Sequence, residues 1–152
     1  MASVVRGDDI LQINAPTQNQ QLTSNTQFNI QYTIIGAQAA HITNAYYFNS
    51  MAVEFRWTQK NNESNVIELN AASGLVSDPA PAGIANKQYS TLWKVPGCHF
   101  FHRYSPNDYN FELIFTPQYS ALAANQVAPG PQQEPITVPV TINVNDANFP
   151  KC

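Results

Sequence analysis

The sequence is short of charge. Lys, Arg, Asp and Glu make up 11% of its 152 residues, against roughly 25% in an average domain. The formal net charge is −3 and only seven residues are basic. Binding to nucleic acid or to an anionic membrane requires clustered Lys and Arg, so neither is expected. Broad disorder is not expected either, because it combines low hydrophobicity with high charge.

Other signals are also missing. No apolar run approaches the ~20 residues of a membrane span. The first residues show no signal peptide, which needs a basic segment before about 7–15 apolar residues. With six glycines the chain has no phosphate-binding loop, and no serine lies in a G-x-S-x-G elbow.

Residues that carry chemistry are few. Cys98, His99, His102 and Asp108 lie close together in sequence, but their spacing is poor for structural zinc. We therefore expect no catalytic residues, no metal site and no cofactor. The aromatic residues of this stretch, at 100 and 101, are expected to anchor a long loop.

Isolated acids are not expected to form a catalytic pair. Glu54 and Glu112 fall on predicted strands that are rich in aromatic residues. They are expected to face solvent or to pair with arginines, the candidates being Arg56 and Arg103.

Alternation of apolar and polar residues is the main structural signal. It is clear in residues 27–34 and 51–58, and it is typical of half-buried strands. Further strands are predicted at 9–14, 65–70, 88–95, 109–116 and 135–144. The sequence thus predicts an all-β fold with one domain over residues 1–152. The expected architecture is a single, immunoglobulin-like antiparallel β-sandwich of about seven strands.

Amides take the place of the missing charge. The chain has 17 Asn and 13 Gln, and many fall on the outward faces of the predicted strands. Natural sheets usually carry charge on their edges that prevents edge-to-edge association, and a net charge near zero promotes association. Protonation of the three histidines near pH ~6.5 would bring the net charge from −3 to about zero. The first functional hypothesis is therefore ordered self-assembly with copies of the same chain, favoured by acid.

Tyrosines support a second hypothesis. Tyr46 and Tyr47 are adjacent, so both cannot face the core, and Tyr104 and Tyr109 lie in or beside a polar loop. Aromatic rings stack on the apolar faces of sugars while amides bond the hydroxyls. These four residues form a possible ligand surface, and the alternative function is an immunoglobulin-like module that binds carbohydrate or a partner.

The two cysteines leave three alternatives open. Cys98 lies mid-chain and Cys152 is the final residue. They can form one bridge within the chain, which would pin the end of the last strand. Alternatively, an exposed terminal thiol can form bridges between molecules in an oxidising setting. Two free thiols are the third alternative.

The whole chain resembles a known family of crystal-forming proteins. Its amide-rich strands, its few charges and its ending Phe149-Pro150-Lys151-Cys152 are similar to the OCTIN family. That family forms octahedral crystals in the vacuoles of Mucoromycota fungi, which serve as gravity-sensing statoliths, and it has bacterial relatives. The resemblance implies a non-enzymatic, vacuolar structural protein. It also implies that intermolecular disulfides through Cys98 and Cys152 hold the crystal in part.

Overall fold

The fold is built almost entirely from strands. The computed structural model describes residues 10–36, 47–75, 86–119, 124–125 and 133–144. Strands account for 64% of these residues and helix for 6%, which confirms the all-β prediction. The elements are β1 (Leu11–Ala15), β2 (Gln20–Thr23), β3 (Gln27–Ile34), β4 (Ser50–Gln59), β5 (Asn62–Leu75), β6 (Lys87–Lys94), α1 (Cys98–Arg103), β7 (Tyr109–Gln118) and β8 (Ile136–Asn143).

The strands form two sheets. One sheet has the order β1-β3-β6, and the other has the order β2-β8-β7-β4-β5. The chain passes from the first sheet to the second between β1 and β2, just after the cis peptide bond between Ala15 and Pro16. All pairings are antiparallel except that of β2 with β8, which is parallel. This pairing departs from the expectation of an entirely antiparallel fold.

Alternation places one face of each long strand in a shared core. On β3 the side chains of Ile30, Tyr32 and Ile34 are buried, whereas Asn29 and Gln31 are exposed. The two sheets meet through aromatic contacts, because the ring centroids of Phe55 on β4 and Trp93 on β6 lie 5.1 Å apart. One hydrophobic cluster therefore joins the two sheets.

The short helix α1 follows β6 and was not expected from the sequence. Its six residues, Cys-His-Phe-Phe-His-Arg, form little more than one turn. Phe101 is 2% exposed and packs edge-on against Phe55 and Phe111. The expectation that Phe100 and Phe101 anchor this segment is thus confirmed, although the anchored backbone is helical.

The register of the strands places α1 at one end of the sheets. Gln59, the last residue of β4, pairs with Tyr109, the first residue of β7, and α1 lies between β6 and β7 in the chain. The turns beside Gln59 and Tyr109 and the helix therefore lie at the same end. In the part of the chain that the structure describes, no helix is long and apolar enough to cross a membrane.

Candidate functional site

Two of the four tyrosines predicted to bind a ligand lie together. The rings of Tyr104 and Tyr109 meet edge to face, with centroids 5.5 Å apart at an angle of 89°. Both are half-buried. Tyr104 also packs against Trp57, at 5.0 Å between centroids. These contacts hold the pair in place at the end of the sheets where α1 lies.

The other two tyrosines do not join this pair. Tyr47 precedes the start of β4, whereas Tyr109 pairs with the residue that ends β4. A ten-residue strand spans about 30 Å, so Tyr47 lies at the opposite end of the sheet. Its hydroxyl donates a hydrogen bond of 2.7 Å to the carbonyl of Ile35. Tyr46 lies outside the described residues.

Cys98 is the first residue of α1 and is disulfide-bonded. It is half-buried. The bond excludes the alternative in which both thiols are free. The other cysteine of the chain, Cys152, lies outside the described residues.

The outward side of the β3–β6 pair is an exposed surface with a single charge. We call it the amide face, and it consists of Gln27, Asn29 and Gln31 on β3 and Gln88, Ser90, Leu92 and Lys94 on β6. All seven side chains are exposed. Leu92 is 64% exposed and lies opposite Asn29. The expected placement of amides on an outward strand face is confirmed here.

Charge concentrates instead on the outward side of the five-stranded sheet. Arg56 on β4 forms an ion pair with Glu112, its cross-strand neighbour on β7, which confirms the expected pairing of Glu112. A hydrogen bond to Glu68, together with partial burial and the charge of Glu68, raises the pKa of Glu54 above its ordinary value. Arg56 opposes this effect. The Glu54–Glu68 pair therefore holds a proton more readily than an isolated carboxyl.

A pocket of about 380 Å³ lies next to Tyr109. Its lining combines polar and apolar side chains from β7, β8 and three connecting segments: Asn19, Lys60, Pro106, Tyr109, Asn110, Phe111, Pro139, Val140, Thr141 and Ile142. Pockets for small ligands have volumes of about 300–1,000 Å³ and combine an apolar lining with a few polar groups. The sequence pointed to Tyr109 but not to the other lining residues, because residues 19, 60 and 139–142 meet only through the pairing of β4 with β7, of β7 with β8 and of β2 with β8.

The residues expected to be poor metal ligands do not assemble into a site. Within the described ranges, no group of three or more His, Cys, Asp or Glu side chains is arranged to hold a metal ion. His99 and His102 are both exposed on α1.

Comparison with known proteins identifies no family for this chain. Neither a family model nor a curated protein matches this chain. The amide face and the pocket are therefore the two features from which a function can be inferred.

Proposed function

We propose that this protein is a non-enzymatic structural protein whose copies associate into an ordered assembly through the amide face. The observation that carries the proposal is the composition of that face, in which six of seven exposed side chains are uncharged and one of these is Leu92. Charge on a protein surface limits association between copies, and this face has only one charged residue.

Burial of the amide face between copies costs little. An uncharged amide that finds a hydrogen-bond partner loses far less on burial than a charged group does. Asn and Gln each offer donors and an acceptor, so two such faces can satisfy one another. Leu92 adds apolar area to the contact, and apolar burial contributes about 25 cal/mol per Å². One self-complementary face yields a two-fold dimer, so an ordered lattice requires a second contact elsewhere.

Acid favours association in this proposal. Protonation of three histidines brings the net charge from −3 to about zero, which removes repulsion between copies. The raised pKa of Glu54 acts in the same direction. The resemblance to the OCTIN family implies the setting, an acidic vacuole in which a dense protein crystal serves gravity sensing.

The topology of the two sheets is also proposed here. We propose a single β-sandwich of immunoglobulin-like topology. The order β1-β3-β6 corresponds to strands A, B and E of that fold, and β8-β7-β4-β5 corresponds to G, F, C and C′. The shared hydrophobic cluster supports a face-to-face arrangement of the two sheets.

Disulfides take a secondary role in assembly. Cys98 is already disulfide-bonded, so noncovalent contacts are proposed to begin the assembly. Bridges between copies, which the resemblance implies for Cys98 and Cys152, then require thiol–disulfide exchange.

Sedimentation measured across mildly acidic pH, with and without reductant, tests the proposal. We expect a monomer at neutral pH and large species in mild acid, in both the presence and the absence of reductant. A protein that stays monomeric at high concentration throughout this range would contradict self-assembly. Assembly that disappears with reductant would contradict the proposal that noncovalent contacts begin the assembly.

A further inference from the structure

The pocket beside Tyr109 is held open by the backbone. The amide N–H of Asn19 donates a hydrogen bond of 2.7 Å to the carbonyl of Pro139, and that of Lys60 donates one of 2.8 Å to the carbonyl of Asp108. The N–H of Tyr109 donates to the carbonyl of Ser105 at 3.0 Å. The first two bonds join segments that are far apart in the chain, and the third fixes the turn before β7. A pocket that is already formed before the ligand arrives loses less conformational entropy on binding, which favours affinity.

An aromatic ring forms one wall. Tyr109 is half-buried, and its edge-to-face contact with Tyr104 restricts its rotation. Phe111, Val140 and Ile142 provide apolar lining nearby. A ring that is fixed but still partly exposed suits a ligand with one apolar face, such as a sugar ring.

Three polar side chains of the pocket are not used by the fold. Among the described residues, no hydrogen bond involves the Tyr109 hydroxyl or the Asn110 amide, and the Lys60 ammonium forms no ion pair. Asn110 and Lys60 are exposed. Among the lining residues that the structure describes, Lys60 alone is charged. The pocket therefore presents amide and hydroxyl groups together with one positive charge.

We infer that this pocket binds a short carbohydrate that carries one carboxylate, such as an oligosaccharide with a single uronic-acid residue. Hydroxyl groups of the sugar pair with Asn110 and its polar neighbours, the apolar sugar face lies on Tyr109, and the carboxylate pairs with Lys60. One lysine matches a single negative charge. A phosphate ester carries more charge and is usually held by arginines or several backbone N–H groups.

This site is independent of the proposed self-assembly. It lies on the five-stranded sheet, whereas the amide face belongs to the three-stranded sheet. The sequence suggested carbohydrate binding by four tyrosines. The structure assigns the pocket to one of them, Tyr109, supported by Tyr104.

Titration of the labelled full chain with an aldobiouronic acid, a disaccharide of one uronic acid and one neutral sugar that carries a single carboxylate, followed by amide NMR at neutral pH, tests the inference. We expect saturable shifts at residues that line the pocket. The methyl ester of the same disaccharide lacks the negative charge and should bind about tenfold more weakly, as expected for loss of a charge-assisted hydrogen bond. Lys60→Met, which keeps most of the alkyl chain, should weaken binding of the acid by a similar factor.

A matched control separates this effect from a general loss of charge. Lys87→Met removes an exposed lysine from the other sheet and should leave the affinity unchanged. Three results would each overturn the inference: no saturable shift up to about 20 mM ligand, well above a weak 1 mM site; equal affinity for the acid and its ester; or shifts confined to residues outside the pocket. None of them bears on assembly, which sedimentation measures separately.

Discussion

At the scale of single residues, Phe55 packs between the two sheets and helps to join them. It is 0% exposed, and its ring lies 5.1 Å from that of Trp93 and 5.4 Å from that of Phe111. Trp93 belongs to the three-stranded sheet and Phe111 to the five-stranded sheet. Loss of this ring therefore leaves a cavity where the sheets meet.

We predict that Phe55→Ala lowers the free energy of unfolding by about 3–5 kcal/mol, the usual cost of removing a buried aromatic side chain. Urea denaturation measures this change. Leu92→Ala is the control, because Leu92 is 64% exposed and its truncation should change stability by no more than about 0.5 kcal/mol. Similar effects of the two substitutions would show that Phe55 does not hold the sheets together.

Glu54 gives the fold a dependence on pH. Its pKa is raised in the folded state by the hydrogen bond to Glu68, by burial and by the charge of Glu68. The folded protein therefore binds this proton more readily than the unfolded chain does. Stability attributable to Glu54 is greatest in acid and falls as the pH rises from the unfolded to the folded pKa.

We predict that Glu54→Gln makes the protein more stable at neutral pH, by about 0.5 kcal/mol, since surface charge pairs contribute about 0.2–1 kcal/mol. The gain should shrink as the pH falls, because Glu54 of the parent protein is then protonated. Thermal unfolding at several pH values measures it, with the exposed Glu63→Gln as control. A gain that grows in acid would have the wrong sign for this explanation.

At the scale of elements, the long strands could be predicted and the short ones could not. Residues 27–34 were predicted as a strand, and β3 has these bounds. β2 was missed because Gln20–Thr23 contains one apolar residue, Leu22, and so has no alternation. Its partner is β8, more than 100 residues away and parallel, a pairing that local pattern does not reveal.

Amides also differ in ways that composition cannot show. Most were expected on the surface, and Asn29 and Gln31 are indeed exposed. Gln133, however, is buried, and its side-chain oxygen accepts a hydrogen bond of 2.9 Å from the N–H of Ile10. This contact spans 123 residues. The pocket escaped prediction for the same reason, since its lining residues are brought together only by tertiary pairing.

Helix α1 depends on its attachments. Six residues are too few for a helix to be stable alone. The packing of Phe101 and the disulfide at Cys98 therefore hold it in place.

We predict that Cys98→Ser lowers the free energy of unfolding by about 2–4 kcal/mol, a typical loss for one disulfide. Hydrogen exchange should also quicken in α1. Chemical denaturation and exchange measurements test both effects, with His99→Ser as control because this exposed residue lies in the same helix. Equal stability of Cys98→Ser and the parent protein would indicate that the bond does not support the fold.

At the scale of the whole molecule, the two sheets have different surfaces. The described outward side of the five-stranded sheet carries Glu54, Arg56, Glu68 and Glu112, whereas the amide face carries one charge, Lys94. Repulsion is therefore concentrated on one side of the molecule. Copies that meet through the amide face keep their acidic sides apart, which is the basis of the proposed assembly.

The central claim is that the amide face is the contact between copies. Light scattering from about pH 7 to pH 5, where histidine titrates, tests it with two variants that each add one lysine and one glutamate and so keep the net charge of the parent. One carries Asn29→Lys and Gln31→Glu on the amide face. The other carries Thr137→Lys and Thr141→Glu at exposed positions on β8.

We predict that scattering by the parent protein and by the β8 variant rises steeply in acid, while the amide-face variant forms no large species at any pH. Circular dichroism should show the same β structure in all three proteins. Acid-induced scattering by the amide-face variant equal to that of the parent would contradict the claim.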